Sequence, residues 1–175
     1  MFVNPNHAIE NLDLLPGMTG ADFGVGPGFY ALPAAKRLGN SGTLYAFDIR
    51  KEMLEITQSK AKSEGLTNIQ AIAADLELPE GSHLKNETVD FILIANILFQ
   101  VENKKNLARE SFRILKKGGK VLLVEWAEEE KPFGPPLKYR INRKEAEEIF
   151  LHEGFFFSKE FKAGDHHYGL ILKKT

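Results

Sequence analysis

Residues 22–28 read Asp-Phe-Gly-Val-Gly-Pro-Gly, with glycine at alternate positions, directly after a short apolar run and directly before a helical pattern. Gly24, Gly26 and Gly28 let the chain turn off a strand and bring its backbone against a ligand where a Cβ would collide. Such a turn points to a bound nucleoside cofactor. A dinucleotide fingerprint, G-x-G-x-x-G, needs glycine at position 29, and position 29 is Phe. An NAD-dependent oxidoreductase is therefore disfavoured. A second acid, Asp48, closes the next apolar run, Tyr45-Ala46-Phe47, about 20 residues on. A carboxylate at the tip of a second strand can accept two hydrogen bonds from a ribose diol.

The elements that must position these residues alternate short β-rich runs with helical patterns, which predicts an α/β domain with a doubly wound, mostly parallel sheet. The strands are expected at 20–23, 43–47, 69–74, 89–95 and 120–126. The run 89–95 is apolar almost throughout, as a central strand covered by helices on both faces should be. Helices are expected at 28–38, 51–63, 103–117 and 143–152. Pro33 is tolerable in the first of these only near its N-terminus. Residues 128–136, with three acids and three prolines, read as a long surface loop. Strands at 155–163 and 166–173, joined by Gly164-Asp165, predict a C-terminal antiparallel hairpin.

The 175 residues suit a single domain. Apolar residues make up 43% and charged residues 27%, ordinary values for a globular protein. A net charge of −1 carries no global basic field, so nucleic acid is not favoured as a partner. No run is long and apolar enough for a membrane span, and the start, Met1-Phe2-Val3-Asn4-Pro5, lacks the regions of a signal peptide, so the cytoplasm is the expected compartment. Cysteine is absent, which removes thiolate metal sites and cysteine nucleophiles; no metal is expected.

The acidic-x-G-x-G-x-G pattern resembles motif I of class I S-adenosylmethionine-dependent methyltransferases. Four further segments resemble that family in order, over roughly 15–126: Tyr45-Ala46-Phe47-Asp48; Ala73-Ala74-Asp75-Leu76; Ala95-Asn96-Ile97-Leu98-Phe99; and the helix-to-strand passage from Phe112 to Glu125, which resembles the R-V-L-K-P-G-G passage of the ubiquinone and menaquinone biosynthesis type. The resemblance implies the Rossmann-like fold, with S-adenosylmethionine as cofactor and S-adenosylhomocysteine as product. It assigns cofactor contact to Asp22, Gly24, Val25, Gly26, Gly28, Asp48, Ile49, Asp75, Leu76 and Asn96. By the same resemblance Asp48 takes the ribose, Asp75 accepts from the adenine amine and Leu76 borders the ring. Each acid also has a structural alternative. Asp22 could tie down loop amides, Asp48 could cap the next helix, and Asp75 could serve the turn leading to Pro79.

A sulfonium methyl brings its own electrophile, so holding an acceptor in line is the main requirement and a general base is optional. Candidates for such a base, or for acceptor contact, are Asn96, Tyr139, His166 and His167, with Arg140 beside Tyr139; in the loop a tether is the competing role. Asn96-Ile97-Leu98-Phe99 is not the N-P-P-Y of enzymes acting on exocyclic amines in DNA or proteins. A small-molecule acceptor is thus the leading expectation. An RNA methyltransferase and a non-catalytic cofactor-binding domain are the rivals. About 18 residues precede the first strand, which leaves the acceptor side open, or closed by the 127–142 loop or by a second copy in a homodimer.

Overall fold

A computed structural model describes residues 3–129 and 133–175. Met1, Phe2 and residues 130–132 of the expected loop lie outside the described residues. Seven strands form one sheet: β1 (Thr19–Phe23), β2 (Thr43–Asp48), β3 (Ile69–Ala73), β4 (Val89–Ala95), β5 (Leu115–Trp126), β6 (Phe156–Gly164) and β7 (His167–Lys173), in the order β3-β2-β1-β4-β5-β7-β6. β1 through β5 pair in parallel, and β7 joins β5 antiparallel with β6 outside it. This is the expected doubly wound sheet finished by an antiparallel hairpin, with β4 at its centre.

Alternation along the strands divides the core. Phe23, Phe47, Ile92, Ile94 and Leu123 face α4 (Lys104–Ile114) and α5 (Arg143–His152), represented there by Leu107, Ala108 and Phe150. Leu44, Leu93, Leu122 and Val124 face the other layer, α1 (Pro5–Ile9), α2 (Ala31–Leu38) and α3 (Lys51–Ser63). Burial on both sides is why β4 carries no polar alternation. Pro33 is the third residue of α2, where its missing amide removes no helical bond.

Several boundaries differ from expectation for local reasons. The helix expected to reach 117 ends at Ile114, because Leu115 is extended and pairs with Val89. The Lys174 ammonium then satisfies the carbonyls of Phe112 and Leu115, at 2.9 and 2.7 Å. Gly118 and Gly119 do not start a new strand but sit inside β5, where the register slips between Val89 and Phe91 and their backbone bonds Lys174. The last strand begins at His167, and His166 belongs to the turn. α1 was not anticipated; Asn4 caps it, accepting from the amides of Asn6 and His7, with Pro5 opening the first turn.

Gly20 on β1 lies directly beneath the Phe91 ring, and a Cβ there would overlap the ring carbons. Gly20→Ala should therefore lower unfolding free energy by about 1–3 kcal/mol. Urea denaturation measures this, and an unchanged midpoint would show that β1 and β4 pack less closely than described.

Candidate functional site

The carboxyl ends of β1 to β5 share one edge, and the connections run in opposite directions from β1 and β4. A crevice opens at such a switch point. Here the turn after β1 meets the turn after β4: a Cβ on Gly24 would stand 2.5 Å from Ile97 Cγ2, so only glycine lets the two turns close together. The glycine turn is held from several sides. Val25 N donates to the Phe47 carbonyl at 2.8 Å, Gly26 N to Asp48 Oδ2 at 2.9 Å, and Thr57 and Lys60 of α3 donate to the carbonyls of Gly26 and Pro27. Gly26 has a φ of 51°, and nothing stands within 4 Å of where its Cβ would be.

Beside this turn lies a cavity of about 330 Å³. Gly24, Asp48, Ile49, Asp75 and Leu76 all line it, so the structure brings five of the expected cofactor residues around one space. Arg50, Glu77, Ile97, Gln100 and Val101 also line it and were not anticipated. Ile97 and Val101 are four apart on one helical turn, a weak signal in sequence.

Asp22, Val25, Gly26, Gly28 and Asn96 are not among the lining residues. Gly28 is packed on α3, with Thr57 Oγ1 3.1 Å from its would-be Cβ. Asp22 is only 2% exposed, and its Oδ2 is buried with no hydrogen-bond partner. It does not tie down the loop amides, since the Gly26 amide is taken by Asp48. Burial, reinforced by the nearby Asp48 charge, pushes the Asp22 carboxyl up to about 8. Asp48 Oδ1 also accepts from Arg50 N at 2.9 Å, while α3 itself has no side-chain cap. Asp48 thus organises the approach to α3 rather than capping it. Asp75 Oδ1 accepts from Glu77 N at 3.0 Å, the turn role considered for it.

Asn96 adopts a left-handed backbone, φ 57°, and its Oδ1 is buried without a partner. Tyr139 is more than half exposed, under the Lys138 ammonium. Arg140 is a tether: its guanidinium donates to the carbonyls of Ala127, Glu129, Phe133 and Pro135, and lies over the Trp126 ring. His166 meets Phe133 edge-on, and His167 packs on Trp126 with ring centroids 4.1 Å apart. Both ring nitrogens of His167 are buried without hydrogen-bond partners. Burial, with the neighbouring His166 and Arg140, lowers His167 to about 4, so it is neutral at physiological pH. Among the described residues no group of three or more His, Asp or Glu could hold a metal ion, and no helix is long and apolar enough to cross a membrane.

Residues 21–123 match the sequence family described as methyltransferase domain. The chain belongs to this methyltransferase family. A crystal structure of a SAM dependent methyltransferase from Aquifex aeolicus superposes with a TM-score of 0.89 at 26% identity, over 99% of this chain and 90% of that one. The fold is that of class I methyltransferases, and the methyltransferase cofactor that goes with it is S-adenosylmethionine. Among curated relatives, the ubiquinone/menaquinone biosynthesis C-methyltransferase UbiE of Hydrogenovibrio crunogenus is 29% identical over 126 residues, 72% of this chain and 49% of its own length. That of Bordetella parapertussis is 32% identical over 120 residues, 69% of this chain and 45% of its own. This methyltransferase chain therefore spans about half the length of the curated relatives it matches.

The residues present fit the cofactor. Carboxylates at Asp48 and Asp75 can accept from hydroxyl and amino groups, Ile49, Leu76, Ile97 and Val101 supply apolar wall, Gly26 leaves open space where a Cβ would stand, and the orphaned Asp22 oxygen lacks a donor.

The raised Asp22 pKa has a stability consequence. Unfolded, the group titrates near 3.9; folded, at about 8. Its neutral form contributes fully below about pH 4, and that contribution is lost as pH rises through about 8. Asp22→Asn should gain stability relative to the ligand-free parent protein as pH rises from about 5 to 8. Paired urea titrations across that range test this; a difference independent of pH would refute the burial of an uncompensated acid.

Proposed function

We propose that this domain acts in the cytoplasm and moves the methyl group of S-adenosylmethionine onto a small-molecule acceptor by in-line displacement. The observation that carries the reading is one cavity with Asp48 and Asp75 on its wall and the glycine turn beside it. Bound S-adenosylmethionine supplies a sulfonium methyl, an electrophile that needs only an aligned nucleophile.

The chain's own groups then have defined tasks. Asp48 accepts from the ribose diol while keeping its bonds to the Gly26 and Arg50 amides, since each carboxylate oxygen has a second lone pair. Asp75 accepts from the exocyclic amine, and Ile49 and Leu76 enclose the base. Gly24, Val25, Gly26 and Gly28 form the backbone against which the amino-acid portion lies, with Asp22 beneath as acceptor for its ammonium. Asn96, beside Ile97 at the end of β4, orients the carboxylate end or the acceptor.

Acceptor contact falls to Tyr139, His166 and His167, grouped around the loop after β5. His167 as a neutral imidazole can accept a hydrogen bond from an acidic hydroxyl. The names of the curated relatives make a quinone-type ring carbon one acceptor to test. The cationic residues that an RNA substrate would need do not share a face. Lys36, Arg37, Lys60 and Lys62 lie on the helices of one layer, and Lys104, Lys105 and Arg109 on α4 of the other. Several are engaged locally: Lys36 with Glu64, Arg37 with Glu10 and Arg109 with Glu153.

Calorimetry should detect S-adenosylhomocysteine binding, and Asp48→Ala should weaken it by more than about tenfold. Absence of binding by the unaltered protein would overturn the reading. Incubating metabolite and RNA pools with cofactor labelled at the methyl group should label the metabolite fraction. Label in RNA would move the acceptor class, and no label in either pool with cofactor binding intact would favour a non-catalytic domain.

A further inference from the structure

β4 and β5 run side by side to Ala95 and Val124, and Asn96 N makes the last ladder bond, to the Val124 carbonyl at 2.8 Å. Asn96 then swings into its left-handed conformation and the chain leaves the sheet. The next two amides, Ile97 and Leu98, have no strand to bond. Leu98 N donates to the Glu125 side chain, reaching Oε1 at 2.7 Å. Beyond them a single helical turn closes, with the Ile97 carbonyl accepting from Gln100 N at 2.9 Å and Val101 N at 3.2 Å. An acid from a different strand thus receives the Leu98 amide at the start of that turn, as an N-cap residue receives an amide at the start of a helix.

We propose that Glu125 is a positioning residue for methyl transfer, setting the 96–101 turn that walls the cofactor cavity. The inference rests on the reading of that cavity as the S-adenosylmethionine site. Ile97, fixed by this arrangement, is the residue that closes on Gly24, and Ile97, Gln100 and Val101 all line the cavity. Glu125 is 1% exposed and its Oε2 has no hydrogen-bond partner. An apolar side chain would fill the same place without an orphaned oxygen, but would strand the buried Leu98 amide. Burial outweighs the pull of the neighbouring backbone amides and lifts the carboxyl to about 8, so glutamine, with one carbonyl oxygen and a neutral partner group, imitates the form present near neutrality. Trp126, the next and last residue of β5, leads into the loop proposed for the acceptor side and carries the Arg140 guanidinium over its ring. Glu125 therefore stands at the joint between the cofactor wall and the acceptor loop without touching either ligand.

Three variants separate positioning from mere support of the fold. Glu125→Ala should weaken S-adenosylhomocysteine binding by at least about tenfold and speed hydrogen exchange at the Leu98 amide. Glu125→Gln should bind within about threefold of the parent protein, because the acceptor oxygen is retained. Glu125→Asp, one methylene shorter, withdraws the carboxyl and should resemble the alanine variant. Binding by Glu125→Ala at the parent affinity overturns the proposal. If Glu125→Ala does not fold, the comparison passes to the other two, and equal affinities for Glu125→Gln and Glu125→Asp overturn it. Failure of the parent protein to bind S-adenosylhomocysteine would instead remove the cavity assignment.

Discussion

Gly26 N donating to Asp48 Oδ2 at 2.9 Å joins the ends of the first two strands, and the site is arranged around that bond. The glycine turn leaves β1 with positive φ at three positions, a shape with little intrinsic preference for itself. It is held by what surrounds it: the Phe47 carbonyl and Asp48 carboxylate from β2, and Thr57 and Lys60 from α3. A hydrogen bond to a charged acceptor contributes about 1.5–3 kcal/mol, enough to choose among loop conformations. Asp48 is consequently both the proposed ribose acceptor and the anchor of the turn, and losing it removes a ligand contact together with the shape that presents the ligand.

Across the crevice the same device is used from the other side of the sheet. β5 carries Glu125 one residue before its end, and the Glu125 carboxyl receives the turn after β4, much as Asp48 at the end of β2 receives the turn after β1. Both are side chains answering backbone amides at places where a parallel strand runs out of partners. The arrangement has an electrostatic cost. Asp22 and Glu125 are buried acids with carboxyl groups raised to about 8, and each holds an oxygen without a protein partner. Strained electrostatics of that kind gather at functional sites.

Much of this was legible in the residues. Apolar runs located the strands, because alternation and burial are local features, while the glycine spacing and Asp48, with Asp75 added by the family resemblance, pointed to residues that line one cavity. What was hidden depends on contacts between distant segments. Ile97 and Val101 look like ordinary apolar residues until Gly24 faces one of them. Glu125 reads as the end of a buried strand, and only the departure of β4 from the sheet shows what it receives. The limit of α4 was set by the pairing of Leu115 with Val89, and the carbonyls left there are taken by Lys174, about sixty residues away in the chain. α1 left one trace, Asn4 before Pro5, too short a signal beside a segment without clear periodicity.

Arg140 gathers the loop after β5 by bonding four main-chain carbonyls, those of Ala127, Glu129, Phe133 and Pro135. Such a clasp reads the path of the backbone and is indifferent to the side chains along it. Residues of the loop can therefore be exchanged, and the chemistry they present to an acceptor altered, while the loop keeps its course and the sheet beneath is undisturbed. On the proposed reading of this loop as the acceptor side, one arginine holds that side's path independently of the side chains it carries and of the half proposed to hold the methyl donor.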